Sequence, residues 1–552
     1  MFVSVILNSE YFDYASRSKW YLKHLLLCKD NGGVMITHEY LYKNLMKLQS
    51  EITESLFASW EMRPFTMEEI KTVKQYEIPD EVFDDLETSL GGRSEMLNSL
   101  FSKRNSTIES YFEKIVNQIS DDHPGEKIEF VLHPLDAFFS VKEVFSNHKI
   151  PIISFSFSAI RKPHGYRETL FVTTINGDLL CSDECEKRYE LFKKENTVFP
   201  VFDHRELITL IGKTRTLPLL QLINTEPKYE ICVCGECFRT QPQLLAHNIH
   251  TTDDDLYYEC AKLYDKGHII TRQHSLLMDQ IKVNRDEVRN DPAAFLLSSK
   301  RTVAVCSQIM LKVLLWNRTA IMPRKTVPFG FLCETAYDSE QKVDINGLNY
   351  YLFGYLVPST LVYDVSYWRW RLTFPSEAEL YERHLSFLLD EFGVDKDTIM
   401  NLRGIERLHY LLECRGCDVQ LTDSILSDAT IDRINWDVAL SRFDVVSNGD
   451  VSSYWRLDKE NNDNSLTSVL SVKVIDVSNI FFYPLDDVAG FARLLSVKLN
   501  GVSIQIDKSY AKFKYMKKLR GYYSFNLQEK YTGLLTIECT WQYKKIFDNL
   551  NS

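Results

Sequence analysis

Three short segments near the middle of the chain end in residues suited to holding a phosphate. The run His268-Ile269-Ile270 leads into Thr271-Arg272-Gln273-His274-Ser275, Thr302 to Cys306 delivers Ser307 and Gln308 to the start of an apolar helical stretch, and Thr319 to Met322 leads into Pro323-Arg324-Lys325-Thr326. This βαβαβ order gathers hydroxyl, imidazole and basic groups at the carboxyl ends of strands, where open α/β sheets bind ligands and where a helix start offers free N–H groups to an anion. His274 and Ser275 would each give a phosphate oxygen one hydrogen bond, and Ser307 with Gln308 would add side-chain and backbone donors. Arg272, Arg324 and Lys325, expected on neighbouring strand ends, would neutralise a diphosphate or a sugar carboxylate. The competing reading makes Ser307 a plain helix cap, His274 a loop histidine with an ordinary partner, and the cations solvated surface groups.

Other residues could carry chemistry elsewhere. In His133-Pro134-Leu135-Asp136, the acid falls where a strand meets a helix, so Asp136 is a candidate catalytic base or nucleophile and equally a candidate helix cap. The loop Arg161 to Glu168 offers Arg161, His164, Arg167 and Glu168 as groups for sugar hydroxyls or charges, an acceptor-binding loop. Cys234, Cys237, His247 and His250 follow a C-x2-C-x9-H-x2-H spacing, shorter in its loop than the usual zinc finger, and Cys232 and Cys234 overlap an apolar strand. A structural strand and turn is the preferred reading there, and no metal is expected. Cys414-Arg415-Gly416-Cys417 forms a second C-x2-C pair. The aromatic run Tyr363 to Arg371 would either stack on a sugar or base, or, as the commoner case, fill a seam between lobes.

The elements that must position these groups alternate. Lys127 to Leu132 and Ile150 to Ser156 predict strands around a helix from Leu135 to His148, and Ile52 to Ile119 predicts flanking helices with caps at Thr66 and Asn105. A second α/β unit follows from about Leu180, with a charged helix at Asp183 to Lys194, a strand at Tyr229 to Cys234 and a capped helix opening at Ser376. Beyond about Asp423, short β-branched and aromatic runs separated by Asn, Asp and Gly turns predict an all-β, sandwich-like domain. The expected fold class is α/β, with a first Rossmann-like lobe over 1–190, a second over 191–422, and the β domain over 423–552.

Composition sets outer limits. With 552 residues the chain exceeds what one core organises. Its 64 basic and 76 acidic residues, net −12, argue against a broad nucleic-acid surface. Met1 to Leu7 is apolar but lacks the length of a membrane span and the pattern of a signal peptide, so it reads as a first buried strand. The expected location is cytoplasmic, peripheral to the inner membrane face at most. Without a secretory signal, the 12 cysteines are expected to be reduced thiols.

On His274-Ser275 and Ser307 the chain resembles the GT-B-fold glycosyltransferases of bacterial surface polysaccharide assembly, especially the capsule and O-antigen Kdo transferase and polysialyltransferase group. His274-Ser275 stands where that group tends to have a His-Pro pair, with serine in place of proline, and Ser307 stands near its serine-bearing helix start. The resemblance spans roughly residues 120 to 340. It implies a metal-independent transferase of GT-B type with no cofactor, taking a CMP- or UDP-linked sugar as donor. The donor phosphate would lie on the second lobe and an acidic residue, assigned to Asp136, on the first. Expected partners are the nucleotide sugar, a glycan or glycolipid acceptor, and polysaccharide-assembly enzymes or the membrane surface, without nucleic acid. The rival readings are a non-catalytic interaction protein with a Cys/His zinc module, and a sugar-nucleotide epimerase.

Overall fold

The computed structural model describes residues 1–7, 14–45, 62–160, 170–195, 199–212, 226–235, 241–272, 292–340, 342–415 and most of the strands between 445 and 543, with a few single positions between these stretches. In the first lobe five strands run parallel: β1 (Val3–Ile6), β2 (Val34–His38), β3 (Gln75–Ile78), β4 (Val131–Pro134) and β5 (Ile152–Phe157), in the order β3-β2-β1-β4-β5. A sixth, β6 (Leu170–Ile175), pairs antiparallel with β5.

Apart from the edge strand β3, where Glu77 is exposed, these strands are buried along most of their length because both faces of the sheet are covered. Phe2 and Ile6 enter one core with Trp20, Leu22 and Leu25 of the helix Tyr14–Asn31, while Val3 and Val5 enter the opposite core with Phe112 and Val144. The same alternation puts Phe130 and Leu132 on the first side and Val131 on the second. Each such side chain contributes about 1.5–3 kcal/mol by burial. The expected caps are formed: Asn105 accepts from the Ile108 N–H at 3.1 Å and Thr66 from the Glu69 N–H at 3.3 Å.

The second lobe holds a smaller, wholly parallel sheet of β7 (Tyr229–Cys234), β8 (Ile269–Arg272), β9 (Ser299–Val303) and β10 (Thr319–Ile321), ordered β10-β9-β7-β8. After a π-helical turn, Tyr351–Tyr355, the chain crosses back to the first lobe. There β11 (Val357–Pro358) pairs antiparallel with β6, and the helix Val365–Arg371 packs its Tyr367 and Trp368 into the first lobe's core. The second lobe is therefore not one continuous stretch from 191 to 422.

The aromatic run is fixed by polar handles as well. Trp368 Nε1 donates to the Val362 carbonyl at 2.8 Å, and Tyr367 Oη lies 2.8 Å from His384 Nε2. Both rings are buried, which corrects the sugar-stacking alternative for these two residues: they are core. The chain then returns along the helix Glu377–Glu391, whose capping box at Ser376 is formed. Glu377 accepts two hydrogen bonds from Arg188, at 2.9 and 3.0 Å, and one from Tyr350 Oη at 2.7 Å.

The C-terminal strands pair antiparallel. Two of them, of 20 and 24 residues (Ser465–Pro484 and Arg520–Tyr543), each merge two runs that the turn residues separate in the sequence. Register shifts between Val474 and Asn479 absorb the interruption. The described strands form one connected sheet; the two facing sheets of a sandwich are not among them. Among the described residues no helix is long and apolar enough to cross a membrane.

Candidate functional site

In the first lobe the strand order reverses direction between β1 and β4, and in the second between β7 and β9. Ligands of open α/β sheets bind at the carboxyl ends of such pairs. The two ends meet: the helix Gln241–Ala246, which follows β7, packs against the helix Arg93–Ser102 of the first lobe, and His247 beyond it acts electrostatically on Asp136.

Asp136 follows β4 through a strained turn. Leu135 takes a left-handed φ of 65°, unusual for a residue with a γ-branched side chain, and its N–H donates to the Phe155 carbonyl at 2.8 Å. That turn drives the next side chain inward, leaving Asp136 6% exposed. Its Oδ1 accepts from the Leu179 N–H at 2.9 Å, and Leu179 belongs to the core of the second lobe. Burial raises the Asp136 carboxyl above its ordinary range, against the pull of Lys142, the Leu179 N–H and His247 and with the push of Asp178. Asp136 is thus no helix cap: the helix starts at Phe139, and the carboxylate ties the first lobe to the connection into the second.

Two groups beside it were not singled out by their own spacing. His133 is buried, its Nδ1 lies 3.0 Å from the Pro134 carbonyl oxygen, and its Nε2 has no hydrogen-bond partner among the described residues. Burial pushes this imidazole down to about 4, so it is neutral at physiological pH. His247 reads in the sequence only as part of a metal pattern. Nothing there says that it would face the acid of the other lobe.

On the second lobe, Ser307 and Gln308 follow β9 and precede the seven-residue helix Ile309–Leu315. Ser307 Oγ accepts from the Ile309 N–H at 3.5 Å, and Gln308 Oε1 is buried without a hydrogen-bond partner among the described residues. Arg324 and Lys325 lie in the turn after β10, Lys325 with a left-handed φ of 48°. Thr326 Oγ1 donates to the Val305 carbonyl, which brings this turn against the segment that carries Ser307. Gly330 closes the turn from below: a Cβ there would stand 2.9 Å from the Lys325 backbone.

Arg272 is elsewhere. It ends β8, the edge strand opposite β10, with its guanidinium 5.9 Å from the Phe295 ring centroid. Three strand spacings separate β8 from β10, roughly 14 Å. This corrects the expectation that Arg272, Arg324 and Lys325 sit on neighbouring strand ends. His274, Ser275, Arg161, His164, Arg167 and Glu168 lie outside the described residues, as do Cys237 and Cys417. Cys232 and Cys234 are buried in β7 with their sulfurs 3.6 Å apart, as the strand reading of that cluster predicts. Among the described residues no group of three or more His, Cys, Asp or Glu side chains could hold a metal ion.

Fold and site together define a two-lobed α/β protein whose strand carboxyl ends converge between the lobes. No protein-family model matches the chain, and no curated protein matches it. Among solved structures it is similar to Thermosulfurimonas dismutans KpsC, beta Kdo 2,7 transferase, at 12% identity and a TM-score of 0.28, over 44% of this chain and 82% of that one. It is likewise similar to the beta Kdo 2,4 transferase of the same protein, at 10% identity and 0.26, over 35% and 68%. Methanocaldococcus jannaschii UDP-GlcNAc 2-epimerase is matched at 12% identity and 0.24, over 59% and 85%. Likeness this low carries no functional conclusion.

Proposed function

We propose that the chain is a GT-B-type glycosyltransferase that moves a sugar from a CMP- or UDP-linked donor to a growing bacterial surface glycan, without a metal. The observation that carries this reading is the meeting of two strand-end sites, one with a buried carboxylate and one with hydroxyl, amide and cationic groups. The donor's phosphates would lie against Ser307, Gln308, Arg324 and Lys325, with His274 and Ser275 added from the segment after β8. Leaving-group charge would be met by these donors and cations. Asp136, whose carboxyl is raised above its ordinary range by burial, would take the proton of the acceptor hydroxyl. The acceptor would approach from the first lobe, where Arg161, His164, Arg167 and Glu168 offer contacts, and the C-terminal β domain would dock glycan, partner enzyme or membrane surface.

The test is a thermal-shift screen of CMP, UDP, GDP and their sugar conjugates against wild type, Lys325→Ala and His274→Ala. A shift for one nucleotide that shrinks in both variants supports the donor site. No shift with any nucleotide overturns it. With a donor in hand, nucleotide released only when an acceptor is present supports transfer, whereas an isomerised free nucleotide sugar would establish the epimerase reading instead.

A further inference from the structure

A cavity of about 1000 Å³ opens at the amino-terminal edge of the first lobe's sheet, the end opposite Asp136. Its walls come from the segments before β4 and β5, the end of β6, the helix Asp183–Lys194, and the chain from Trp368 to Glu377 that leads back out of the first lobe. Five basic side chains and three carboxylates line it. The carboxylates are already engaged. Arg369 holds Glu129 through two hydrogen bonds at 2.6 and 3.1 Å, Arg188 holds Glu377, and Glu184 lies 3.9 Å from Arg188.

That leaves Lys127, Lys149 and Arg371 facing the cavity with no side-chain hydrogen bond or ion pair among the described residues. Arg371 is the telling member. It is only partly exposed, at the end of a helix whose neighbouring Tyr367 and Trp368 are core. Burial, and then the nearby charge of Arg188, press its guanidinium toward the neutral form, against the pull of Tyr367, Glu377 and Glu184. Those carboxylates are held on Arg188, so the Arg371 guanidinium keeps its own donors open to an anion entering the cavity. Its planar fork of N–H donors fits a carboxylate or phosphate in bidentate fashion.

We propose that this cavity is a binding site for a small molecule carrying a carboxylate or phosphate, such as a sugar acid or a sugar phosphate, with the oxyanion on Arg371 and the hydroxyl-bearing part along Ser146, Thr173 and Asn176. The site stands apart from the proposed donor site and does not depend on the transferase reading. A ligand here would bridge the first lobe's sheet edge and the return segment 368–377, and so would stiffen the joint through which that segment reaches the helix Glu377–Glu391.

The experiment is isothermal titration of the full chain with glucuronate, glucose 6-phosphate, inorganic phosphate and, as control, glucose. Saturable binding of an anionic probe and none of glucose is expected, with affinity at least tenfold weaker in Arg371→Gln and weakened by added salt. Glucuronate binding tighter than the two phosphates assigns the oxyanion as carboxylate; the reverse order assigns it as phosphate. Binding indifferent to Arg371→Gln, or no binding of any anion to wild type, overturns the proposal. Unliganded Arg371→Gln is expected to melt close to wild type, because the side chain has no hydrogen bond or ion pair to lose among the described residues. A marked fall in melting temperature would show a structural role instead, and would overturn it too.

Discussion

Replacing Asp136 by asparagine and by alanine separates what its shape does from what its charge does. Oδ1 accepts one hydrogen bond from the buried Leu179 N–H at 2.9 Å. An asparagine amide oxygen accepts the same bond, whereas alanine leaves that N–H without a partner at a cost of about 1–3 kcal/mol. Urea unfolding should therefore place Asp136→Asn within ~1 kcal/mol of wild type and Asp136→Ala about 1–3 kcal/mol below it. The folded carboxyl titrates above its unfolded value because burial disfavours its charge, so its contribution to stability is full below the unfolded pKa and is lost as pH rises through the folded one. Asparagine carries no such loss, and its stability relative to wild type should climb with pH across that window. On activity the expectation inverts. Loss of a general base costs roughly 10²- to 10⁴-fold in turnover. This would be read as nucleotide release from the donor found by the binding screen, with both variants equally impaired. Wild-type turnover in a folded Asp136→Asn sinks the catalytic role, and equal destabilisation of both variants sinks the anchoring role.

Three further outcomes follow from the geometry. Glu377→Gln strips the charge that neutralises Arg188 in a nearly closed environment and should cost about 3–5 kcal/mol, largely recovered in Arg188→Met/Glu377→Leu; equal denaturation midpoints for wild type and Glu377→Gln would show that the pair holds nothing. Burial pushes His133 down to about 4, and His24 and His384 each to about 3. Their neutral forms therefore contribute stability that is full above the unfolded value of about 6.5 and lost as pH falls below it, at up to ~1.4 kcal/mol per histidine per pH unit; His133→Gln should flatten the fall between pH 6.5 and 4, and an unchanged slope would refute this. Gly330→Ala should displace the Lys325 turn, because the added methyl meets backbone rather than a yielding side chain, and should weaken nucleotide binding while costing about 1–3 kcal/mol of unfolding free energy; unaltered binding would detach that turn from the site.

The sequence made the local alternation legible because its physics is local. β7, the helix Asp183–Lys194 and the caps at Thr66, Asn105 and Ser376 depend on side chains within a few positions of one another, and each stands where periodicity puts it. What it hid depends on strand order. Arg272 and Lys325 close equivalent strands, and only the order β10-β9-β7-β8 shows that they lie at opposite edges. The electrostatic influence of His247 on Asp136 acts between lobes and leaves no trace in either local pattern. The return of β11 to the first lobe was equally hidden, since a two-residue strand carries no periodicity of its own.

That return shapes how the protein comes into being. Val357, Leu361, Val362, Val365, Tyr367 and Trp368 belong to the first lobe's core, yet they are synthesised after the whole sheet of the second lobe. At about 5–20 residues per second, the ribosome needs roughly 10–40 s to travel from the end of β6 to Trp368. Through that interval the nascent first lobe presents an unpaired strand edge and an unfilled apolar face. The second lobe must therefore fold beside an unfinished neighbour, and its own chain supplies the piece that completes the first.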